Sequence, residues 1–316
     1  MERNWLAVIA VLVGLSLCCL AAETQPVAPS LPTAGAPVMD QVYPGLASSV
    51  LTYARLTDLP EGILVRSGDF TVSAKTVKEE IANAPEAVQG ELTKQSLFML
   101  EQIAARDLLF LEAKLQAAKA GTDISKSSES EIMRNYFAKV VESLKVTDEE
   151  VAAFYRDNSA MFGGANLEQV KPQLSQYLLQ QKQGEAVSQH IRTVGQRMPI
   201  EVSASWVKAQ VGPSMDNPVG KARQSGRPSM VDFGSKGCGP CDMMAPILAE
   251  LKQAYEGKAN VLFIQVTEQQ ILAARYGIEA IPVQVFFDKD GKEVFRHTGF
   301  FPKDKIEKKL TEMGVK

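Results

Sequence analysis

Histidine and cysteine are scarce in this chain. Its 316 residues include two histidines, His190 and His297, and four cysteines. Two histidines so far apart exclude a histidine-rich metal centre and catalysis built on several imidazoles. Charge of one sign is missing as well: 34 lysines and arginines face 37 acidic residues, a net charge of −3. Phosphate binding shows itself as a basic excess, so nucleic acid is not an expected partner. The apolar run from Trp5 to Leu20, broken only by Gly14 and Ser16, falls short of the roughly 20 residues of a membrane helix. Scattered cysteines are also lacking. Cys18 and Cys19 adjoin near the N-terminus, and Cys238 and Cys241 form a single CxxC, which excludes a disulfide scaffold.

What is present begins with a leader. A short charged start, the apolar run and the small residues Ala21-Ala22 predict a signal peptide over residues 1–22. Glu2 offsets Arg3 in the charged start, so an uncleaved anchor is the alternative and would be the only membrane contact. Lipid attachment at Cys19 is a third reading, which Cys18 fits poorly. Cleavage removes Glu2, Arg3, Cys18 and Cys19 and leaves the net charge at −3. The mature protein then carries one vicinal cysteine pair, which in an exported protein points to a redox centre rather than a staple.

The rest of the chain divides by texture. Residues 23–59, with Pro26, Pro29, Pro32, Pro37 and Pro44 among small residues, read as a disordered tether. Residues 60–207 are mainly helical. A strand and turn at Ile63–Phe70 lead into a helix over Val72–Ala84. Leu97, Leu100, Ala104, Leu108, Leu111 and Leu115 then recur at helical spacing. Thr147 and Glu150 form a capping box, and Asn166 opens a further helix with Leu167, Val170, Leu174 and Leu178 on one face. The glycines and prolines of 208–228 mark a domain junction, with a linker at 208–215 and a short helix near Val219–Gln224. In 216–316 the period changes: Met230–Phe233 and Val261–Val266 read as buried strands. Val283–Phe287 and Glu293–Thr298 read as a hairpin, and Lys303–Met313 as a helix. The predicted class is α+β with two domains, the second a small α/β fold.

The chemistry concentrates at Cys238-Gly239-Pro240-Cys241, between a buried strand and a helix. A cysteine at a helix N-terminus faces free N–H groups and the positive dipole end, which favour its thiolate. Cys238 is therefore the attacking thiol, and Cys241, one turn on, the resolving one. Gly239 keeps the turn tight, and Pro240 supplies a first-turn φ. A half zinc site and a structural disulfide are the competing readings. The first lacks a second CxxC, and the second gains little from so short a loop.

Met230-Val231-Asp232-Phe233, this CGPC, Pro246 and Tyr276-Gly277-Ile278-Glu279-Ala280-Ile281-Pro282 together resemble the thioredoxin family over about residues 216–316. The resemblance implies a thioredoxin fold. It implies that Asp232 is a buried carboxylate handling the resolving thiol's proton. It also implies a cis Pro282 beside the cysteines, with Ile281, Gly239 and Pro240 at the substrate edge. Two departures stand out: Gly237 replaces the usual tryptophan before the first cysteine, and Asp242 the usual lysine after the second.

Leu100–Ala118, Val146–Val151 with Phe154, Tyr155, Asn158 and Phe162, and Leu167–Leu174 resemble SurA-type periplasmic chaperones. Between Phe162 and Leu167 there is no room for that family's parvulin domain, so prolyl isomerase activity is not expected. Together these resemblances imply a periplasmic or otherwise exported thiol–disulfide oxidoreductase, most readily a reductase, acting on protein disulfides. The helical domain would bind substrate or partner proteins, and no cofactor is expected. A membrane thiol-electron carrier would have to supply electrons. The alternatives are a disulfide oxidase or isomerase, or a chaperone or holdase with a secondary redox domain.

Overall fold

The computed structural model describes residues 35–316. The leader expectation for residues 1–22 lies outside the described residues, as do residues 23–34 of the expected tether. The described chain forms two compact units, and its path through them is discontinuous. One holds the residues up to Leu108 together with Gly195–Ser214, and the other holds Leu109–Val194 and Met215–Lys316.

The first stretch contains α1 (Met39–Val42), β1 (Arg55–Thr57), β2 (Ile63–Ser67), β3 (Phe70–Ser73), α2 (Ala74–Asn83), α3 (Glu86–Lys94) and α4 (Ser96–Lys119). Next come α5 (Glu129–Val141), α6 (Asp148–Asp157), α7 (Leu167–Arg197), β4 (Glu201–Ser203) and α8 (Ala204–Met215). In the first unit β1, β4, β2 and β3 lie side by side. β1 runs parallel to β4, whereas β2 is antiparallel to both β4 and β3. Leu97, Leu100, Ala104 and Leu108 are buried along α4, but the predicted stripe ends there: Leu111 is only partly buried and Leu115 is exposed. The buried Glu101 carboxylate accepts hydrogen bonds from the backbone N–H groups of Ser48 and Ser49, at 2.9 and 2.6 Å, and so holds that turn.

Residues 35–59 correct the tether expectation. They are ordered: Met39, Val50, Leu51 and Ala54 are fully buried, and Leu56 in β1 pairs with Val202 in β4. The prolines here punctuate short elements, most of whose apolar side chains enter the core while Val42 stays exposed, a pattern too brief for periodicity to register. The linker expectation for 208–215 is corrected too, because these residues lie inside α8. Pro213 stands near the helix end, where its missing N–H removes only one helical bond.

Gly195, where the chain re-enters the first unit, makes a close approach within it. A Cβ there would stand 2.7 Å from Val50 Cα and 2.8 Å from Val50 O. Backbone cannot step aside as a side-chain tip can, so Gly195→Ala should destabilise the protein by about 1–3 kcal/mol. The check is a lower denaturant midpoint, and an unchanged midpoint would contradict this packing.

The second unit contains α5, α6 and α7, followed by α9 (Pro218–Arg223), β5 (Ser229–Gly234), α10 (Gly239–Ala254), β6 (Asn260–Gln265) and α11 (Gln270–Arg275). β7 (Val283–Phe287), β8 (Glu293–Thr298) and α12 (Lys303–Glu312) complete it. Caps start the helices as the sequence predicts. Thr147 and Glu150 close a capping box on α6, and Asn166 and Gln169 exchange hydrogen bonds at the start of α7. The Phe154 and Tyr177 rings meet between α6 and α7 with centroids 5.6 Å apart.

The second sheet has the order β6-β5-β7-β8. β5 is parallel to β6 and antiparallel to β7, and β7 is antiparallel to β8. β5 and β7 are central and buried at every position, which is why they read as mainly apolar runs, interrupted by Asp232 and Gln284. Phe233, Val285 and Phe287 pack on one face of the sheet, and Met230, Met244 and Phe286 on the other.

Candidate active site

The sheet's register gathers the site at one end. β5 leaves the sheet at Gly234 and runs through Ser235–Gly237 into Cys238. Phe233 lies opposite Val283, and Val283 lies opposite Thr298. The cysteine loop, the Ile281-Pro282 segment and Gly299 therefore emerge together from three neighbouring strands. The Ile281–Pro282 peptide bond is cis, and the Gly299 N–H donates to the Pro282 carbonyl at 2.8 Å.

Cys238 is the N-cap of α10, with Gly239 and Pro240 in its first turn. The Asp242 N–H donates to the Cys238 carbonyl at 2.9 Å. Cys238 and Cys241 are joined as a disulfide with their Cα atoms 5.2 Å apart. The two are unequal in access: Cys238 is partly exposed, whereas Cys241 is 4% exposed.

Asp232 sits on β5 with no solvent exposure. Burial raises its carboxyl from 3.8 to about 6, opposed by a hydrogen bond from Gln284. Gln284 Nε2 donates to Asp232 Oδ1 at 2.7 Å. The second oxygen, Oδ2, is buried without a hydrogen-bond partner among the described residues. Asp232 Oδ2 and Cys241 Cβ both border Gly234, lying 3.5 and 3.4 Å from the point where a Cβ on it would stand. A side chain at Gly234 would therefore touch both the carboxyl and the buried cysteine. Neither Gln284 nor Gly234 figures in the sequence reading. A lone glutamine inside Val-Gln-Val-Phe-Phe was the available signal, because a polar side chain on a fully buried strand needs a partner.

The two departures from the family pattern touch each other. Gly237 has φ +79°, a conformation natural to glycine and strained for tryptophan. Its N–H donates to Asp242 Oδ1 at 3.3 Å, so the small residue and the acid form one rim.

A thioredoxin family model matches residues 216–312. Thioredoxins of Staphylococcus aureus strains Mu50 and MW2 are each 46% identical over 77 residues, 24% of this chain and 73% of theirs. Among solved structures, Fasciola hepatica thioredoxin is 34% identical and covers 28% of this chain and 82% of its own, with a TM-score of 0.26. Chloroplastic thioredoxin z is 28% identical over 30% of this chain and 84% of its own, with a TM-score of 0.28.

The protein is a thiol–disulfide oxidoreductase. Through its C-terminal residues 216–312, the chain belongs to the thioredoxin family.

Proposed function

We propose that this protein is an exported disulfide reductase that works through Cys238 and Cys241, with Asp232 moving a proton. In the reduced enzyme the Cys238 thiolate attacks one sulfur of a substrate disulfide. That bond breaks, a mixed disulfide forms, and the departing sulfur takes up a proton. The Cys241 thiol gives its proton to Asp232 and attacks Cys238 Sγ. The Cys238–Cys241 disulfide forms, the second substrate thiol leaves, and two electrons have passed to the substrate. A membrane dithiol carrier would return the enzyme to its reduced form. Ile281 and Pro282 offer a backbone edge for the substrate chain, and Gly239 and Pro240 border the exposed sulfur. The helical residues would hold the substrate or partner protein, in keeping with their SurA-like pattern.

The observation that carries this reading is the asymmetry of the pair. One cysteine is reachable at a helix start, and the other is buried near a carboxyl whose pKa is suited to proton exchange near neutrality. Direction is tested by the reduction potential of the full chain. A value of about −230 mV or lower is expected for a reductase, whereas about −180 mV or higher would make the protein an oxidase or isomerase.

A further inference from the structure

The cis-proline segment carries an unusual neighbour. In the second unit Gly299, whose N–H binds the Pro282 carbonyl, is itself buried, and part of its cover comes from the helices. A Cβ on Gly299 would lie 3.9 Å from Phe154 Cζ and 4.0 Å from Tyr177 Oη. Farther along α7, Gly184 stands against Glu279, and a Cβ there would collide with the Glu279 carboxylate. Glycine within a helix costs about 1 kcal/mol relative to alanine, and here it makes room for that side chain. The enclosure also desolvates the Glu279 carboxyl and pushes it upward, although the side chain keeps an open edge to solvent.

Tyr177 and Gly184 are seven residues apart, so they lie on one face of α7 about 10 Å apart. That face therefore runs beside residues 279–282, from Glu279 to the Gly299 turn. Phe154 and Tyr177 stand at its Gly299 end as a tilted aromatic pair. They are partly exposed, so their outer surface is available to a chain lying along the segment.

We infer that Phe154 and Tyr177 are specificity-determining residues, forming an aromatic wall of the disulfide-binding groove. The wall favours substrates with a bulky apolar side chain beside the attacked cysteine. This rests on the proposed reductase reading and adds a substrate class to it. An aromatic pair attracts an apolar or aromatic side chain through burial and edge or offset contacts. It offers nothing to a small disulfide that fills only the space above Cys238.

The test uses three disulfide substrates with the full chain. Two are peptides alike except for Phe or Ser beside the attacked cysteine, and the third is 2-hydroxyethyl disulfide. Phe154→Ala and Tyr177→Ala should each raise KM for the Phe-flanked peptide about tenfold. Both should leave kcat, the reduction potential and turnover of the other two substrates within about twofold of wild type. Tyr177→Phe, which keeps the ring, should match wild type. The inference is overturned if the alanine variants change nothing, or if all three substrates suffer alike. It is also overturned if the alanine variants speed the Phe-flanked peptide, because the helices would then be a cover rather than a wall. If the wild-type protein reduces none of the three, the reductase reading itself fails, and that outcome is distinct from failure of the aromatic wall.

Discussion

Cys238→Ser should leave less than about 10⁻³ of wild-type disulfide exchange, because a serine hydroxyl cannot act as a thiolate nucleophile and among the described residues only the buried Cys241 remains. Cys241 is 4% exposed and faces the protein interior, so it offers no second route to an incoming disulfide. The companion variant should behave differently. Cys241→Ser keeps the reachable thiol and removes the one that closes the cycle, so mixed disulfides with client proteins should accumulate. Insulin reduction monitored by turbidity measures the first effect, and non-reducing electrophoresis with mass spectrometry measures the second. Retention of full function by Cys238→Ser, for instance in suppressing client aggregation, would show a holdase for which the thiol pair is secondary.

Asp232→Asn should slow the enzyme and stabilise the fold. Asparagine keeps an oxygen for the Gln284 N–H but cannot accept the Cys241 proton. Removing a positioned general base costs about 10²-fold or more, so the loss should appear in resolution of the mixed disulfide. The wild-type rate should rise as pH passes about 6 and Asp232 ionises, and the variant should lose that step. Stability moves the other way. The carboxyl titrates at about 6 in the folded protein against 3.8 when unperturbed. The unfolded chain therefore releases its proton first as pH rises. Native stability is fully retained below 3.8, falls across the window to about 6, and stays low above it. Asp232→Asn removes a penalty of about 3 kcal/mol at pH 8 and almost none at pH 3.5. Denaturant melts at the two pH values check this, and an equal effect at both would refute burial as the cause of the shift.

Much of this site was legible in the sequence, for identifiable reasons. The CxxC and its flanking strand and helix form a local pattern, and the Thr147 and Asn166 caps depend on residues three positions apart. β5 and β7 were visible because central strands, buried on both faces, are mostly apolar. What escaped depends on distant pairing. β1 and β4 are three residues each and are separated by most of the helical region, too short for any period to show. Met39, Val50 and Leu51 are fully buried within a stretch whose prolines suggest a spacer. Pro213 sits inside a helix that its presence argues against. Gln284 gains meaning only opposite Asp232, and Tyr177 only beside Gly299, because neither relation leaves a trace in spacing along the chain.

The pairing of β1 with β4 has a consequence for biogenesis. β1 takes its sheet partner from Glu201–Ser203, so the N-terminal sheet cannot close when its first three strands emerge from the ribosome or a translocation pore. It must wait, with β1 lacking its sheet partner, until about 130 further residues have followed. The thioredoxin fold needs no such delay once its own segment is out, since all four of its strands lie within Ser229–Thr298. During synthesis the N-terminal sheet therefore closes only shortly before the first strand of the catalytic fold, Ser229–Gly234, is made, although its own first strand was made far earlier.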